Sequence, residues 1–282
     1  MTARLQAGRT RIAASLRHAE LGRLACASLN LELDTYPKPG LVSPVDRGAH
    51  HDMDIALMRA SVAAIEPWFV ELAMAGAAGA AMPELRAIGM AAEQGMMAAT
   101  GGVNAHRGAI FGMGLLVAAA GAEGFAGESL GGRVARLWGS EIRSRPPSPA
   151  SNGGRVARRY GVGGASAEAA VGFPALYTVA VPALREGERL ASGAGEASRV
   201  HALFRLIAVL QDTNLLHRGG AEGLAFAQEQ AARFLAIGSV SRPDWRARAQ
   251  AVHKDFVARN LSPGGAADLL AMALFVCAAE EF

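Results

Sequence analysis

Residues able to perform acid–base and metal chemistry are concentrated between positions 32 and 54. Within this segment Asp52-Met53-Asp54 places two carboxylates one residue apart. An Asp-x-Asp pair in a loop or first helical turn can supply two hard oxygen ligands to Mg²⁺, whose shell water or phosphate then completes. Either aspartate could equally cap a helix, and Glu32 could be a solvated helix residue. The first polar cluster comprises Glu32, Lys38, Asp46, Arg47, His50, His51, Asp52 and Asp54.

A second polar cluster runs from Thr100 to Gly108 and leads into an apolar segment. Unpaired N–H groups at the amino end of a helix attract anions, and Asn104, His106 and Arg107 add further donors there. This pattern predicts a phosphate-binding element, with a simple turn around a hydrogen-bonded His106 as the alternative. It is not a P-loop, because Gly-Lys-Ser/Thr is missing and no strand precedes it.

The third cluster, 211–220, follows the clearest apolar stripe of the chain. Here Asp212 precedes Asn214 and His217, which share a helix face at a spacing of three residues, and Arg218 lies near both. A helix end that combines these four residue types favours a binding or catalytic role over plain surface.

Two further glycine-rich segments have weaker signals. Tyr160 to Gly164, followed by Glu168, would let the backbone approach a ligand, but the strand and helix of a dinucleotide-binding fold are missing. The segment 260–268 is interpreted structurally, as a helix start with Ser262 as its cap and Pro263 at the first position. Zinc-ligand spacing and His-Glu-x-x-His are both absent from the sequence, which excludes zinc proteases of that type.

The elements that must position these clusters are helices. Apolar residues recur at helical spacing, and no sustained period-two alternation or hairpin turn occurs. We predict an all-α protein with a single globular domain, 1–282, of about ten helices. The predicted helices cover 11–34, 53–82 in one or two pieces, 84–99, 109–120, 165–170, 173–184, 196–210, 221–237, 244–260 and 264–280.

The segment 140–164 is rich in Arg, Pro, Ser and Gly and has no apolar period, so we predict a mobile loop there. Seven arginines and one acid between Arg133 and Arg159 give that region a charge of +6, against +3 for the whole chain. Such a region could cover a polyphosphate site or be a plain solvated loop.

Composition narrows the class of protein. The chain of 282 residues is 51% hydrophobic but only 6% aromatic, which is typical of a helical globular protein. The longest stretch without a charged residue, 169–184, is too short to cross a bilayer, and no signal-peptide pattern is present. We therefore expect a cytoplasmic protein without membrane contact. Two cysteines, Cys26 and Cys277, make no disulfide framework.

Taken together, the clusters resemble the signature blocks of the triphosphoribosyl-dephospho-CoA synthase family, in that family's order. The matching blocks are Pro37-Lys38-Pro39-Gly40-Leu41-Val42, Gly48-Ala49-His50 with Asp52-Met53-Asp54, 100–111, 212–220 and 262–270.

This resemblance implies a transferase that joins the ribose of ATP to 3'-dephospho-CoA and expels adenine. The product, 2'-(5''-triphosphoribosyl)-3'-dephospho-CoA, would be the prosthetic-group precursor for the acyl-carrier subunit of malonate decarboxylase or citrate lyase. The single-domain length, without a fused nucleotidyltransferase, favours the malonate decarboxylase branch. The resemblance implies ATP and 3'-dephospho-CoA as partners and Mg²⁺ as cofactor; a homodimer stays open.

The implied reaction assigns roles to the clusters. Breaking the ribose–adenine bond produces an oxocarbenium-like state that carboxylates stabilise, while a base takes the proton of the attacking hydroxyl. Glu32, Asp46 and Asp212 are the candidates for these two tasks, and Asp52 and Asp54 are the candidate metal ligands. The candidate nucleotide and phosphate ligands are Lys38, Asn104, His106, Arg107, Asn214, His217 and Arg218.

Two other classes of function stay open. A Mg²⁺-dependent N-glycosidic hydrolase of the ADP-ribosyl-protein hydrolase type would share the carboxylate–metal chemistry but use water as the acceptor. Alternatively, the basic segment would be a nucleic-acid arm, although only Trp138 and Tyr160 interleave its arginines and no nucleic-acid motif surrounds them. We therefore expect no nucleic-acid partner.

Overall fold

The computed structural model describes residues 2–125, 127–145, 151–193 and 195–280, with side chains from residue 15 onward. These residues form α-helices and no strand, which confirms the all-α prediction; the helices number twelve rather than about ten. A π-helical turn at Leu176–Ala180 and a 3₁₀ turn at Ser239–Ser241 complete the list. The helices are α1 Thr2–Leu33, α2 Ile55–Ala77, α3 Met82–Ala99, α4 Arg107–Gly121, α5 Leu130–Ser144, α6 Asn152–Tyr160, α7 Gly164–Ala170, α8 Val181–Leu190, α9 Glu196–Val209, α10 Thr213–Ala236, α11 Trp245–Ala258 and α12 Gly264–Glu280.

Helix α4 is the central element of the core. Almost every residue from Ala109 to Gly121 is buried, as expected for a helix that is apolar on all sides. It packs against α1, α2, α3, α5 and α12. A Cβ at Gly76 would lie 1.9 Å from the Ala118 carbonyl oxygen, so glycine allows α2 and α4 to approach closely. No helix in the described part of the chain is long and apolar enough to cross a membrane.

Local sequence signals explain several helix ends. Asp54 caps α2 and Asp212 caps α10 through side-chain oxygens, and Pro83 lies in the first turn of α3. The predicted helix 221–237 begins at a kink inside the longer α10, where Gly220 has φ of 63°. Glycine adopts this conformation without the strain that a side chain would cause.

The loop predicted for 140–164 is wrong over much of its length, because 140–144 end α5 and 152–160 form α6. Ser151 caps α6 by accepting a hydrogen bond from Gly154 N, and Gly161 ends it in the left-handed conformation. Val156 is buried, and α6 packs against α10. Val156 is the one buried apolar side chain of α6, and beside three arginines and two glycines it gives too weak a periodicity to detect. Residues 146–150 lie outside the described part.

Candidate active site

The predicted clusters converge where several helix ends meet. The carboxyl end of α1, the loop that follows it, and the amino ends of α4, α10 and α12 all contribute polar side chains. Because each amino end presents free N–H groups and a partial positive charge, this junction is suited to bind an anion.

Glu32 and Lys38 form a buried ion pair at the centre of the junction. Lys38 Nζ lies 2.8 Å from Glu32 Oε1 and also donates to the Glu32 carbonyl oxygen at 2.9 Å. Burial lowers the pKa of Lys38, and the charge of Glu32 opposes this effect. Since an ammonium has three donors, one N–H of Lys38 is left for a further acceptor.

His106 lies beside this pair, just before α4. Its Nδ1 is 2.7 Å from the hydroxyl of Ser61 on α2, and Nε2 has no hydrogen-bond partner among the described residues. Burial, with a smaller contribution from the nearby Lys38 charge, lowers the pKa of His106 to about 4. The imidazole is therefore neutral near pH 7 and can either donate or accept one hydrogen bond.

Asp212 is buried and joins the amino ends of two helices. Its Oδ1 accepts hydrogen bonds from Asn214 N at 2.7 Å and Leu215 N at 3.3 Å, and Oδ2 accepts from Ala266 N at 3.0 Å. Burial raises the pKa of Asp212, and these backbone hydrogen bonds oppose the rise. The carboxylate thus connects the amino ends of α10 and α12 by hydrogen bonds.

Asp268, in the first turns of α12, is a site residue that the sequence analysis missed. Its Oδ2 lies against the backbone of Gly108, where an added Cβ would be only 2.0 Å away. Burial, followed by the charges of Glu32 and Asp212, raises the pKa of Asp268 well above its usual range. The only available signal was its place in the block 262–270, three residues after Gly264-Gly265, a segment that the sequence pattern indicates only as a helix start.

Arg218 connects the two loops at the edge of the junction. Its Nη1 donates to the Ala49 carbonyl oxygen and to Asn260 Oδ1, both at 2.8 Å, and Nη2 lies 3.1 Å from His50 Nδ1. His50 Nε2 in turn lies 2.9 Å from Ser262 Oγ. The guanidinium therefore holds 48–50 against 260–262, whereas the sequence analysis placed it among the candidate phosphate ligands.

Asp46 lies further out, in the loop after α1. One oxygen accepts a hydrogen bond from Gly48 N at 2.9 Å, and the other lies 3.1 Å from Nε2 of the buried His253 on α11. The second ring nitrogen of His253 lies 2.7 Å from the Lys38 carbonyl oxygen. His253, which the sequence analysis did not select, thus links Asp46 to the chain segment that carries Lys38.

The two candidate metal ligands differ in their surroundings. Asp52 is exposed, with His50 Nδ1 3.7 Å away, whereas Asp54 caps α2 with Oδ1 and pairs with Arg47 through Oδ2. Within the described residues, no three His, Cys, Asp or Glu side chains are grouped as a metal site. A nucleotide-bound Mg²⁺ commonly takes one or two carboxylates, so this pair of accessible oxygen donors fits it chemically.

The other predicted phosphate ligands lie on the exposed rim. Asn104 accepts a hydrogen bond from Arg107 N at 3.3 Å, and the Arg107 guanidinium pairs with Glu93 at 2.8 Å. Asn214 and His217 are exposed on the first turns of α10, and Asn214 lies against Gly264 of α12. These side chains surround the amino ends of α4 and α10.

The arrangement combines two environments suited to glycosyl transfer. Buried carboxyl groups can stabilise a cationic ribose and exchange protons, while helix amino ends and exposed cations can bind a polyphosphate. Glu32, Lys38, His106 and Asp212 are inner residues, whereas Asp46, Asp52 and Asp54 belong to the outer loop.

Comparison with known proteins identifies the family of the chain. Residues 18–282 match the family model described as ATP:dephospho-CoA triphosphoribosyl transferase. The chain is 41% identical to the "2-(5''-triphosphoribosyl)-3'-dephosphocoenzyme-A synthase" of Pectobacterium atrosepticum, over 87% of this chain and 84% of that protein. It is also similar to two proteins named "Probable 2-(5''-triphosphoribosyl)-3'-dephosphocoenzyme-A synthase". The protein of Albidiferax ferrireducens is 40% identical, with 93% and 91% coverage, and that of Azotobacter vinelandii is 42% identical, with 90% and 89% coverage.

No solved structure matches the chain significantly. The family model, however, spans nearly the whole sequence, and the three relatives are each at least 40% identical over most of their length. The chain belongs to the ATP:dephospho-CoA triphosphoribosyl transferase family.

Proposed function

We propose that this protein transfers the triphosphoribosyl group of ATP to the 2'-hydroxyl of 3'-dephospho-CoA and releases adenine. Family membership supports the reaction, and the observation that carries it in this chain is the buried Glu32–Lys38 pair beside Asp268. Carboxyl groups such as Glu32 and Asp212 are also the catalytic groups of enzymes that break bonds to a sugar C1.

Glu32 is the residue best placed to stabilise the ribose cation. Its position is fixed because Lys38 holds one carboxylate oxygen, while Oε2 makes no hydrogen bond within the described residues. A fixed negative charge in a site shielded from water stabilises a developing positive charge strongly, because no solvent must reorganise. Asp212 and Asp46 support the site by holding helices and loops together.

The triphosphate would lie across the amino ends of α4 and α10. Backbone N–H groups, Asn104, His106 and Arg107 surround the first helix end, and Asn214, His217 and Arg218 surround the second. Lys38 would donate its remaining N–H to the triphosphate. Mg²⁺ held by Asp52 and Asp54 would neutralise part of the triphosphate charge.

For the product, we propose use as the precursor of the prosthetic group on the acyl-carrier subunit of malonate decarboxylase, with citrate lyase as the alternative. The substrates of the protein are metabolites of the cytoplasm, where we expect it to act. Supplying the product and the appropriate nucleotidyltransferase to each purified apo carrier subunit would identify the acceptor.

The reaction is tested by measuring adenine release with ATP and Mg²⁺, in the presence and absence of 3'-dephospho-CoA. We expect adenine only when both substrates are present. Release of adenine from ATP alone, or of ADP-ribose from an ADP-ribosylated protein, would instead support a hydrolase that uses water as the acceptor. Intact coenzyme A is the matched control acceptor, because it differs from the substrate only by its 3'-phosphate.

A further inference from the structure

We propose that Asp268 is the general acid that protonates adenine as it leaves the ribose. The assignment rests on the proposed function and concerns one proton of that reaction. It follows from the contacts that separate Asp268 from the three other carboxyls considered for the reaction, Glu32, Asp212 and Asp46.

Each of the other three carboxyls accepts hydrogen bonds that favour its ionised form. Glu32 accepts from the ammonium of Lys38, Asp212 from three backbone N–H groups, and Asp46 from Gly48 N. Asp268 accepts none from the described residues. A carboxyl without donors, placed beside other carboxyls, is most stable as a neutral acid, because protonation removes the repulsion.

The charged groups that face Asp268 also favour its neutral, protonated form. Glu32 approaches from α1 and Asp212 from α10, and both raise the pKa of Asp268 in addition to burial. Of the nearby cationic groups, Lys38 is bonded to Glu32, and His106 is neutral near pH 7. A carboxyl without donors beside a carboxylate that is ion-paired with a lysine is the usual arrangement of an acid with a charge-stabilising partner.

Gly108 fixes where this acid can act. Because residue 108 has no side chain, the Asp268 carboxyl lies against the first turn of α4, at the same helix end that is suited to the triphosphate. An alanine Cβ there would be 2.0 Å from Oδ2, so the carboxyl could not keep its position. The absence of a side chain on one helix thus leaves room for an acidic side chain from another.

The step conserves atoms and charge. The bond between ribose C1' and adenine N9 breaks, and its electron pair stays with the base. The Asp268 proton moves to a ring nitrogen, so that neutral adenine departs. The 2'-oxygen of 3'-dephospho-CoA then bonds to C1', and its proton passes to the Glu32 carboxylate. Water returns that proton to Asp268, which restores both residues.

The test compares ATP with N7-methyl-ATP, whose purine already carries a positive charge and leaves without protonation. We expect Asp268→Asn to lower the turnover rate with ATP by about 10²–10⁴-fold, the usual contribution of a general acid. With N7-methyl-ATP, the variant should turn over at nearly the wild-type rate. Glu32→Gln, which removes charge stabilisation, should be slow with both substrates.

A second variant and a second readout guard against a folding defect or rejection of the analogue. Gly108→Ala should reproduce the ATP-specific loss, whereas Gly89→Ala, which meets no atom within 4 Å on α3, should not. In the pH profile of kcat/KM with ATP, the decline at high pH should be present in the wild type and absent in Asp268→Asn, since an acid must stay protonated.

Two results would overturn the assignment: wild-type turnover of ATP by Asp268→Asn, or equal losses with both substrates. Either would leave the proposed function intact, because the wild-type enzyme would still release adenine only with 3'-dephospho-CoA. If the wild-type enzyme releases no adenine, the proposed function fails and the assignment with it.

Discussion

The ammonium of Lys38 lies 2.8 Å from the carboxylate of Glu32, and the two residues are 1% and 6% exposed. Such a pair is costly to desolvate, and its value lies in geometry more than in net stability. The ion pair fixes the position of a negative charge near the amino end of α4, where the ribose is expected to bind.

Removing one partner of this pair should lower the free energy of unfolding much more than removing both. Lys38→Met leaves a buried, uncompensated carboxylate and should lower the free energy of unfolding by about 3–5 kcal/mol. The double variant Glu32→Leu/Lys38→Met should recover most of that loss, as measured by urea unfolding, but should show no turnover. Equal stability of Lys38→Met and the wild type would contradict the buried pair.

Asp52 and Asp54 should differ in their effect on stability, because only Asp54 also caps a helix. Asp54→Ala removes the oxygen bonded to Leu57 N and should cost about 0.5–2 kcal/mol of stability. Asp52→Asn is exposed and should leave the melting temperature unchanged while raising the Mg²⁺ concentration needed for half-maximal velocity. Asp34→Asn, at an exposed ion pair with Arg59, is the control and should not alter the Mg²⁺ requirement. An unchanged requirement in Asp52→Asn would place the metal elsewhere.

Arg218 and Arg145 should differ in their effect on ATP binding. Arg218→Ala releases the loops that carry His50 and Ser262, so we expect calorimetry to show at least about tenfold weaker binding, as for loss of a charged hydrogen bond. Arg145 is exposed, and Arg145→Ala should change the affinity less than about threefold. The reverse order of effects would place the triphosphate on the basic segment.

The free energy of unfolding should fall at low pH because His106 is buried as a neutral ring. The pKa of His106 falls from 6.5 to about 4 on folding, so between these values only the unfolded chain binds the proton. Stability is therefore full above pH 6.5 and declines as the pH falls towards 4, by about 3 kcal/mol in total for this residue. His106→Gln should flatten that decline in urea unfolding measured across this range, whereas His217→Gln, at an exposed position, should not. An unchanged slope in His106→Gln would contradict its burial as a neutral ring.

The periodicity of apolar residues in the sequence was sufficient to predict the fold class and most of the long helices. The limits of α9, for example, match the predicted 196–210 within a residue, because its apolar stripe is continuous. Helix α6 was missed since its stability depends on packing against α10, and this contact leaves only Val156 as a local signal.

The site was predictable as a set of segments but not as a set of contacts. The presence of Glu32, Lys38, His106 and Asp212 at one junction follows from their clusters, yet no local pattern places Asp268 opposite Gly108, 160 positions apart in the chain. The same reason explains Arg218, whose partners Ala49 and Asn260 lie in distant loops. Tertiary contacts of this kind decide which carboxyl is paired and which is not.

The most direct test of the account is a single-turnover experiment with ATP, Mg²⁺ and 3'-dephospho-CoA, in which wild type and Glu32→Gln are compared by mass spectrometry. We predict that the wild type gives one adenine per triphosphoribosyl adduct, with all three phosphates retained. Glu32→Gln should bind ATP normally but form the adduct about 10²–10³-fold more slowly. Formation of ADP or AMP by the wild type, or undiminished turnover by Glu32→Gln, would contradict the account.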